Sequence, residues 1–172
     1  LTVTGNISAS GDHTALNLIA TGSNNLLNTS QSGHIIGNRF FEKSTTANYF
    51  LAQGDIIYTG GGSTTKGNIV YMATNGNWAN AQANAASTST SLLGIALGTS
   101  SGDGILLRGT VTLDHDVGNN QGVQLFLSDT AAGNATATRP ASSGDVVRII
   151  GYNLGDNDEI WFNPDNTFVE VA

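Results

Sequence analysis

One phrase is written twice in this chain, and that duplication limits what the chain can fold into more than any other feature. Residues 67–98 read GNIVYMATNGNWANAQANAASTSTSLLGIALG, and residues 122–155 read GVQLFLSDTAAGNATATRPASSGDVVRIIGYNLG. Each copy opens on Gly and a short apolar run that ends in an aromatic and a long aliphatic residue, Tyr71-Met72 and Phe126-Leu127. Each then passes through a Gly-containing turn and an Ala/Ser/Thr tract, and closes on a second apolar run that stops at Gly. Repeating one strand–loop–strand unit and letting the copies pair is an economical route to a closed β-structure. Closure also hides edge strands, which matters because only 11% of the residues are charged, against about 25% in ordinary globular chains.

The flanking text agrees with an all-β fold. GDIIYTGGGSTTKGNIVYM reads as two apolar runs around a Gly/Ser/Thr loop, a hairpin with a mobile tip at residues 60–67. GDGILLRGTVTLDHD reads as a strand pair bent near Arg108-Gly109, and DEIWFNPDNTFVEVA as two strands around the turn Asn163-Pro164-Asp165-Asn166. The tract over residues 79–86 favours helix by its Ala content, but its Ala residues alternate with Asn and Gln, which predicts strand or irregular structure. Residues 53–172 thus predict about eight or nine short strands in a compact β-barrel or β-sandwich domain with an internal duplication.

Residues 1–52 predict a second, shaft-like or anchoring β segment. LTVTGNISASG alternates apolar and polar residues in runs of four or five broken by Gly-Asn and Gly-Asp turns, and HIIGNRFF reads as strand–turn–strand. Side chains as small as Ala9 and Ala15 bury little area at about 25 cal/mol per Å², too little to offset roughly 1–2 kcal/mol of backbone entropy per residue. Three chains winding together would solve this, so the segment predicts an intertwined homotrimer; the plainer reading is a flexible N-terminal arm. The start at Leu1 is what a processed or truncated chain shows.

Six basic residues against thirteen acidic ones give a net charge of −7. The whole excess lies in residues 99–172, where three Arg face ten acids. An acidic domain without a basic patch argues against nucleic-acid binding, and no apolar run approaches the roughly 18 residues of a membrane helix. The absence of Cys removes disulfides, thiolate chemistry and Cys-based metal sites.

Chemical motifs are sparse. GTSSG, residues 98–102, fits the nucleophile-elbow pattern around Ser100, but the following DGILLRG reads as strand where that motif needs a helix. His115 stands between Asp114 and Asp116; adjacent side chains on a strand point to opposite faces, so a polar loop explains the triplet better than an acid–base or metal site. DHDVGN resembles a calcium loop but has Gly118 where the third acidic or amide ligand should stand, and GDNDEI, with Asp156, Asp158 and Glu159, reads as a solvated hairpin tip, with a weakly bound surface cation as the alternative. Lys66 follows a Gly-rich loop without phosphate-loop spacing. Trp78 and Trp161 lie within or at the edge of apolar runs, where packing is the simpler role. If the chain recognises a host glycan, the candidates are Trp78 and Tyr152. No catalytic residue, cofactor site or metal site is expected.

The residues also carry a resemblance. LTVTGNISASG resembles strand-and-turn phrases in shafts of bacteriophage tail fibres. GNIVYM…NGNWANAQANAAS…LLGIALG, GDGILLRGTVTL, SGDVVRIIGY and IWFNPDNTFVEV, spanning roughly residues 67–171, are similar to a β-module near the ends of phage structural proteins, particularly those of marine phages. The resemblance implies a trimeric, non-enzymatic virion part on the exterior of the particle: a tail fibre, a head fibre or a capsid decoration (cement) protein. Its implied partners are further copies of itself and other virion proteins, with a host surface glycan as an alternative ligand and host attachment as the role.

Overall fold

The computed structural model of the protein describes residues 52–155 and 158–172. The expected N-terminal segment, residues 1–52, lies outside the described residues except for Ala52, which already belongs to the first strand. The strands are β1 (Ala52–Ile57), β2 (Ile69–Met72), β3 (Trp78–Asn80), β4 (Leu93–Ala96), β5 (Ile105–Thr112), β6 (Gln124–Leu127), β7 (Ala135–Thr136), β8 (Val146–Val147), β9 (Ile149–Gly155), β10 (Glu159–Phe162) and β11 (Val169–Glu170). One α-helical turn, α1 (Ala86–Ser89), and one 3-10 turn (Ser101–Asp103) complete the described secondary structure. The chain is all-β: nine strands form one antiparallel sheet curled into a half-barrel, and β8 and β11 make a small ladder of their own.

The duplicated phrase is visible in the strand order, β3-β2-β4-β5-β10-β9-β6-β7. In each copy the first strand is central and is flanked by the second strand and the last, giving β3-β2-β4 at one end of the sheet and β9-β6-β7 at the other. Val70 of β2 faces Gly94 of β4, and Leu125 of β6 faces Gly151 of β9, so even the pairing of an aliphatic residue with a glycine repeats. The repeat is not strictly symmetric, however. Between Leu125 and Phe126 the β6–β9 register slips, whereas β2 and β4 pair without a slip. The two copies also differ in phase: Leu125 enters the main core while Val70, its counterpart, enters a smaller cluster.

The main core fills the inner face with Ile69, Leu93, Ile95, Leu106, Val111, Leu125, Leu127, Ile150, Ile160 and Phe162, all essentially inaccessible. At about 1.5–3 kcal/mol for each fully buried Val, Leu, Ile or Phe, this shared core, drawn from both copies, holds the sheet together. The second cluster, Val70, Trp78, Ala96 and Ile105, lies on the other face of the first copy. It is covered by the Gly-rich loop after β1. Trp78 donates its indole N–H to the Thr59 carbonyl at 2.7 Å, Gly61 and Trp78 exchange backbone contacts with the facing turn, and a Cβ at Gly60 would stand 2.7 Å from Trp78 Nε1. The glycines are there because the loop lies directly on the indole.

Curling needs a place where strands approach closely. Gly54 faces Gly109, Gly109 faces Phe162, and Phe162 faces Gly151, one row across four strands. The three glycines have φ of +153°, +147° and +157°, and a Cβ at any of them would overlap neighbouring backbone. Glycine in a strand interior marks such sharp bending and close approach, and here it leaves room on the inner face beside Phe162.

Several pairings differ from expectation. β1 does not form a hairpin with β2 but pairs along β5, and the expected mobile tip is tied down by bonds from Gly61 to Gly76, Thr64 to Thr99 and Gly67 to Ala96. The predicted strand pair around Arg108-Gly109 is a single eight-residue strand, β5. The bend there is a bulge: Asp55 faces Arg108 and Ile56 faces Leu106, leaving Leu107 unopposed. Leu107 packs toward the smaller cluster while Arg108 is exposed. β11 pairs with β8 rather than with β10. The Ala tract is divided, residues 78–80 being strand and residues 86–89 helix. The changed strand pairings concern partners distant in sequence, which local alternation does not encode.

Candidate binding surface

The outward side chains of the central strands form a row. Trp161 faces Tyr152 across β10 and β9, and Tyr152 faces Gln124 across β9 and β6. The Arg108 guanidinium lies 5.7 Å from the centre of the Trp161 ring, within cation–π range. Tyr152 is 43% exposed.

Beside this row stands the turn Asn163-Pro164-Asp165-Asn166. Two polar clefts flank it, one of about 330 Å³ toward Leu92, Leu107 and Arg108, the other of about 370 Å³ toward Tyr152 and Ile149. The turn is fixed to β9 by two backbone bonds, Asn163 N–H to Ile150 O and Asp165 N–H to Ile149 O, each 2.9 Å. Below it lies Arg148, only 4% exposed. Its Nε donates to Asp165 O at 2.9 Å, and its Nη1 donates to Ser89 O at 2.6 Å and Ser91 O at 2.7 Å. One guanidinium therefore clamps the end of α1, in the first copy, to the turn. A helix of four residues has no stability of its own, so this tie and the Ser89 hydroxyl bond to Ala85 O hold it. Burial pushes the Arg148 pKa down, and the nearby Asp165 carboxylate opposes that shift.

The Thr167 backbone N–H, followed by the Thr167 hydroxyl, holds the Asp165 carboxyl below its ordinary value of 3.8, and Arg148 acts in the same direction. A carboxyl with a lowered folded pKa contributes stability that is present above its unfolded value and lost as pH falls through the folded one. Wild type is therefore expected to melt above Asp165→Asn at neutral pH, with the difference in melting temperature vanishing as pH falls below 3.8. Thermal melts of both proteins at a series of pH values check this.

The other residues singled out by sequence are used locally. Trp78 corrects an expectation: at 2% exposure, with its N–H bonded to Thr59, it has no face to offer a sugar. The tryptophan beside Tyr152 is Trp161, which the apolar context of its run did not distinguish from a packing residue. Ser100 begins the 3-10 turn, and its N–H and hydroxyl bond to the Asp103 carboxylate at 3.0 and 3.2 Å; an antiparallel strand follows, so the elbow geometry is missing. His115 lies in a bend, not a strand, and Asp114 turns back to it at 2.7 Å. Its Nε2 accepts from the Ala135 N–H at 2.8 Å, so Nδ1 carries the proton donated to Asp114. Both ring nitrogens thus serve to tie the loop after β5 to β7. Asp156 lies outside the described residues; Asp158 sits at φ +54°, and burial pushes its carboxyl pKa up. Among the described residues no group of three or more His, Asp or Glu side chains is placed to hold a metal ion.

Arg148 is the residue that sequence reading missed. Its signal is plain in retrospect: Val-Val-Arg-Ile-Ile places one charge within four β-branched apolar residues, and a charge carried into a core must find partners. No protein-family model, no curated protein and no solved structure matches this chain.

Proposed function

We propose that the chain is a non-enzymatic structural protein of a bacteriophage particle, exposed on the particle exterior as a fibre-like homotrimer. The observation that carries this reading is the duplicated phrase. Its residues are those that resemble phage structural modules, and they fold into the two ends of one curled sheet around a shared apolar core. The sparse charge of the chain and the consumption of Ser100, His115 and Arg148 in local bonds favour a scaffold over a reaction centre. The sequence of residues 1–52, with short alternating runs and side chains as small as Ala9 and Ala15, favours association of several copies. Interlocked assemblies of this kind persist because many strand pairs must break together.

Light scattering on the full chain tests the assembly. A mass of three chains across micromolar concentrations is expected, and a monomer over that range would overturn the homotrimer. Quantitative mass spectrometry of purified particles tests the setting: absence of the chain from particles defeats the virion reading. Hundreds of copies per particle would identify a capsid decoration protein instead of a fibre.

A further inference from the structure

We infer that the outward face of β5 and β10 is a docking site for residues 39–51 of the same chain, which fold back over it. Alternation defines the face. Val111, Ile160 and Phe162 enter the main core, so Thr110, Thr112, Glu159 and Trp161 point the other way. Thr110 stands opposite Trp161 and Thr112 opposite Glu159, with Gln53 of β1 opposite Thr110 on the far side of β5. A polar face directed away from the core is ordinarily wet. Here Thr110 is 5% exposed, Thr112 9% and Glu159 0%. Around them the sheet is open, for Asp55, Arg108 and Tyr152 are all exposed. Glu is almost never fully buried unless it is paired and covered. Trp161 is half-buried, yet it belongs to neither apolar cluster. A cover therefore lies over the middle of this face and not over its margins.

The occupant follows from what precedes β1. Ala52 faces Val111, so carrying the antiparallel ladder one residue further sets Leu51 opposite Thr112, at the border of the covered patch. The chain before β1 thus arrives where a cover is needed. Its composition suits the task. Residues 39–51 read RFFEKSTTANYFL and hold Phe40, Phe41, Tyr49 and Phe50, four of the twelve aromatic side chains of the chain, whereas residues 1–38 hold none. Each aromatic side chain buries about 150–250 Å² when it finds a surface, and the indole of Trp161 offers one. The compact unit to which the sheet belongs begins at Arg39, not at Ala52, and Leu1–Asn38 forms a unit of its own. A plain linker between two units is expected to be polar; this stretch is aromatic. β1 is also an edge. β4 and β10 share one side of β5 and β1 takes the other, so among the described residues no strand pairs with the outer side of β1. Proteins cover such edges. A segment whose last residue is already tied to β1 closes only a short loop in doing so. None of this depends on the virion setting or on the homotrimer.

Thiol chemistry on the full chain tests this, because the protein has no Cys of its own. Leu51→Cys combined with Thr112→Cys is expected to be bridged within one chain by a short bis-maleimide, migrating as a single chain on denaturing gels. Thr110→Cys alone reports on the cover. A maleimide should label it about tenfold faster or more once Phe40, Phe41, Tyr49 and Phe50 are all replaced by Ser, because labelling follows local opening. Slow hydrogen exchange at β2 and β6 in the same samples shows that the sheet itself stays folded. In the unaltered chain the amides of residues 49–51 should exchange as slowly as those of β1. Bridges found only between chains would give the face to a second copy and overturn the inference. Equal labelling of Thr110→Cys with and without the four aromatics would overturn it too. Free exchange at residues 49–51 overturns it whatever the variants do.

Discussion

Arg148→Met is expected to cost about 3–5 kcal/mol of folding stability, a large share of the roughly 5–15 kcal/mol that holds a domain. Two effects oppose each other. Removing a buried guanidinium relieves its desolvation, the same burial that lowers its pKa, and apolar replacement of buried ion pairs is often neutral or stabilising. That outcome requires both partners to be removable. Here the partners are the backbone carbonyls of Ser89, Ser91 and Asp165, which no side-chain substitution deletes. Each carbonyl left buried and unpaired costs about 1–3 kcal/mol. Water can reach the Ser91 and Asp165 groups more readily than the fully buried Ser89 region, so the sum falls short of three full penalties. The stranded acceptors therefore win. Arg148→Lys keeps the charge, but a single ammonium cannot reproduce a planar fork spanning three acceptors, so it should recover only part of the loss. Urea titrations with an unchanged m-value measure both. A cost below 1 kcal/mol for Arg148→Met would show that α1 and the Asn163–Asn166 turn hold their places without the clamp.

The same residue shows what sequence patterning can and cannot deliver. Alternation and apolar runs announce β2, β4, β6, β9 and β10, and the repeat announces that two similar halves exist, because these signals are local. The strand order within each half follows from the repeat once one copy is known. Partner choice at long range is different. β1 bypasses its neighbour β2 for β5 because Gly54 and Gly109 allow the two backbones to approach closely, and a glycine in a sequence names no partner. The binding surface was legible only in part. Tyr152 could be named from the sequence, but Trp78 and Trp161 have similar contexts and opposite fates. The Gly-rich loop that buries Trp78 reads as flexible until it is seen lying on the indole.

Gly109→Ala is expected to be comparably damaging, and its comparison with Gly76→Ala separates two causes of glycine dependence. Both glycines have positive φ, +147° at Gly109 and +81° at Gly76. At Gly76, in the turn between β2 and β3, an added Cβ meets nothing within 4 Å. The only cost there is the left-handed conformation, about 1–2 kcal/mol. At Gly109 the extended conformation with positive φ is almost confined to glycine and costs about 1–3 kcal/mol by itself. The added Cβ would also overlap the Gln53 carbonyl and stand 2.8 Å from the Gly54 Cα. Backbone cannot swing aside as a flexible side chain can, so β1 must separate from β5, adding about 1–3 kcal/mol of the kind seen when cores are overpacked. The difference between the two variants should therefore be about 2–4 kcal/mol, read as a shift in denaturation midpoint. The amides of β1 and β5 should lose hydrogen-exchange protection in Gly109→Ala and keep it in Gly76→Ala, since local opening follows the elements that have lost their pairing. Equal costs for the two substitutions would mean that backbone conformation alone explains the glycine row, and that the close approach of β1 to β5 does not shape the curl of the sheet.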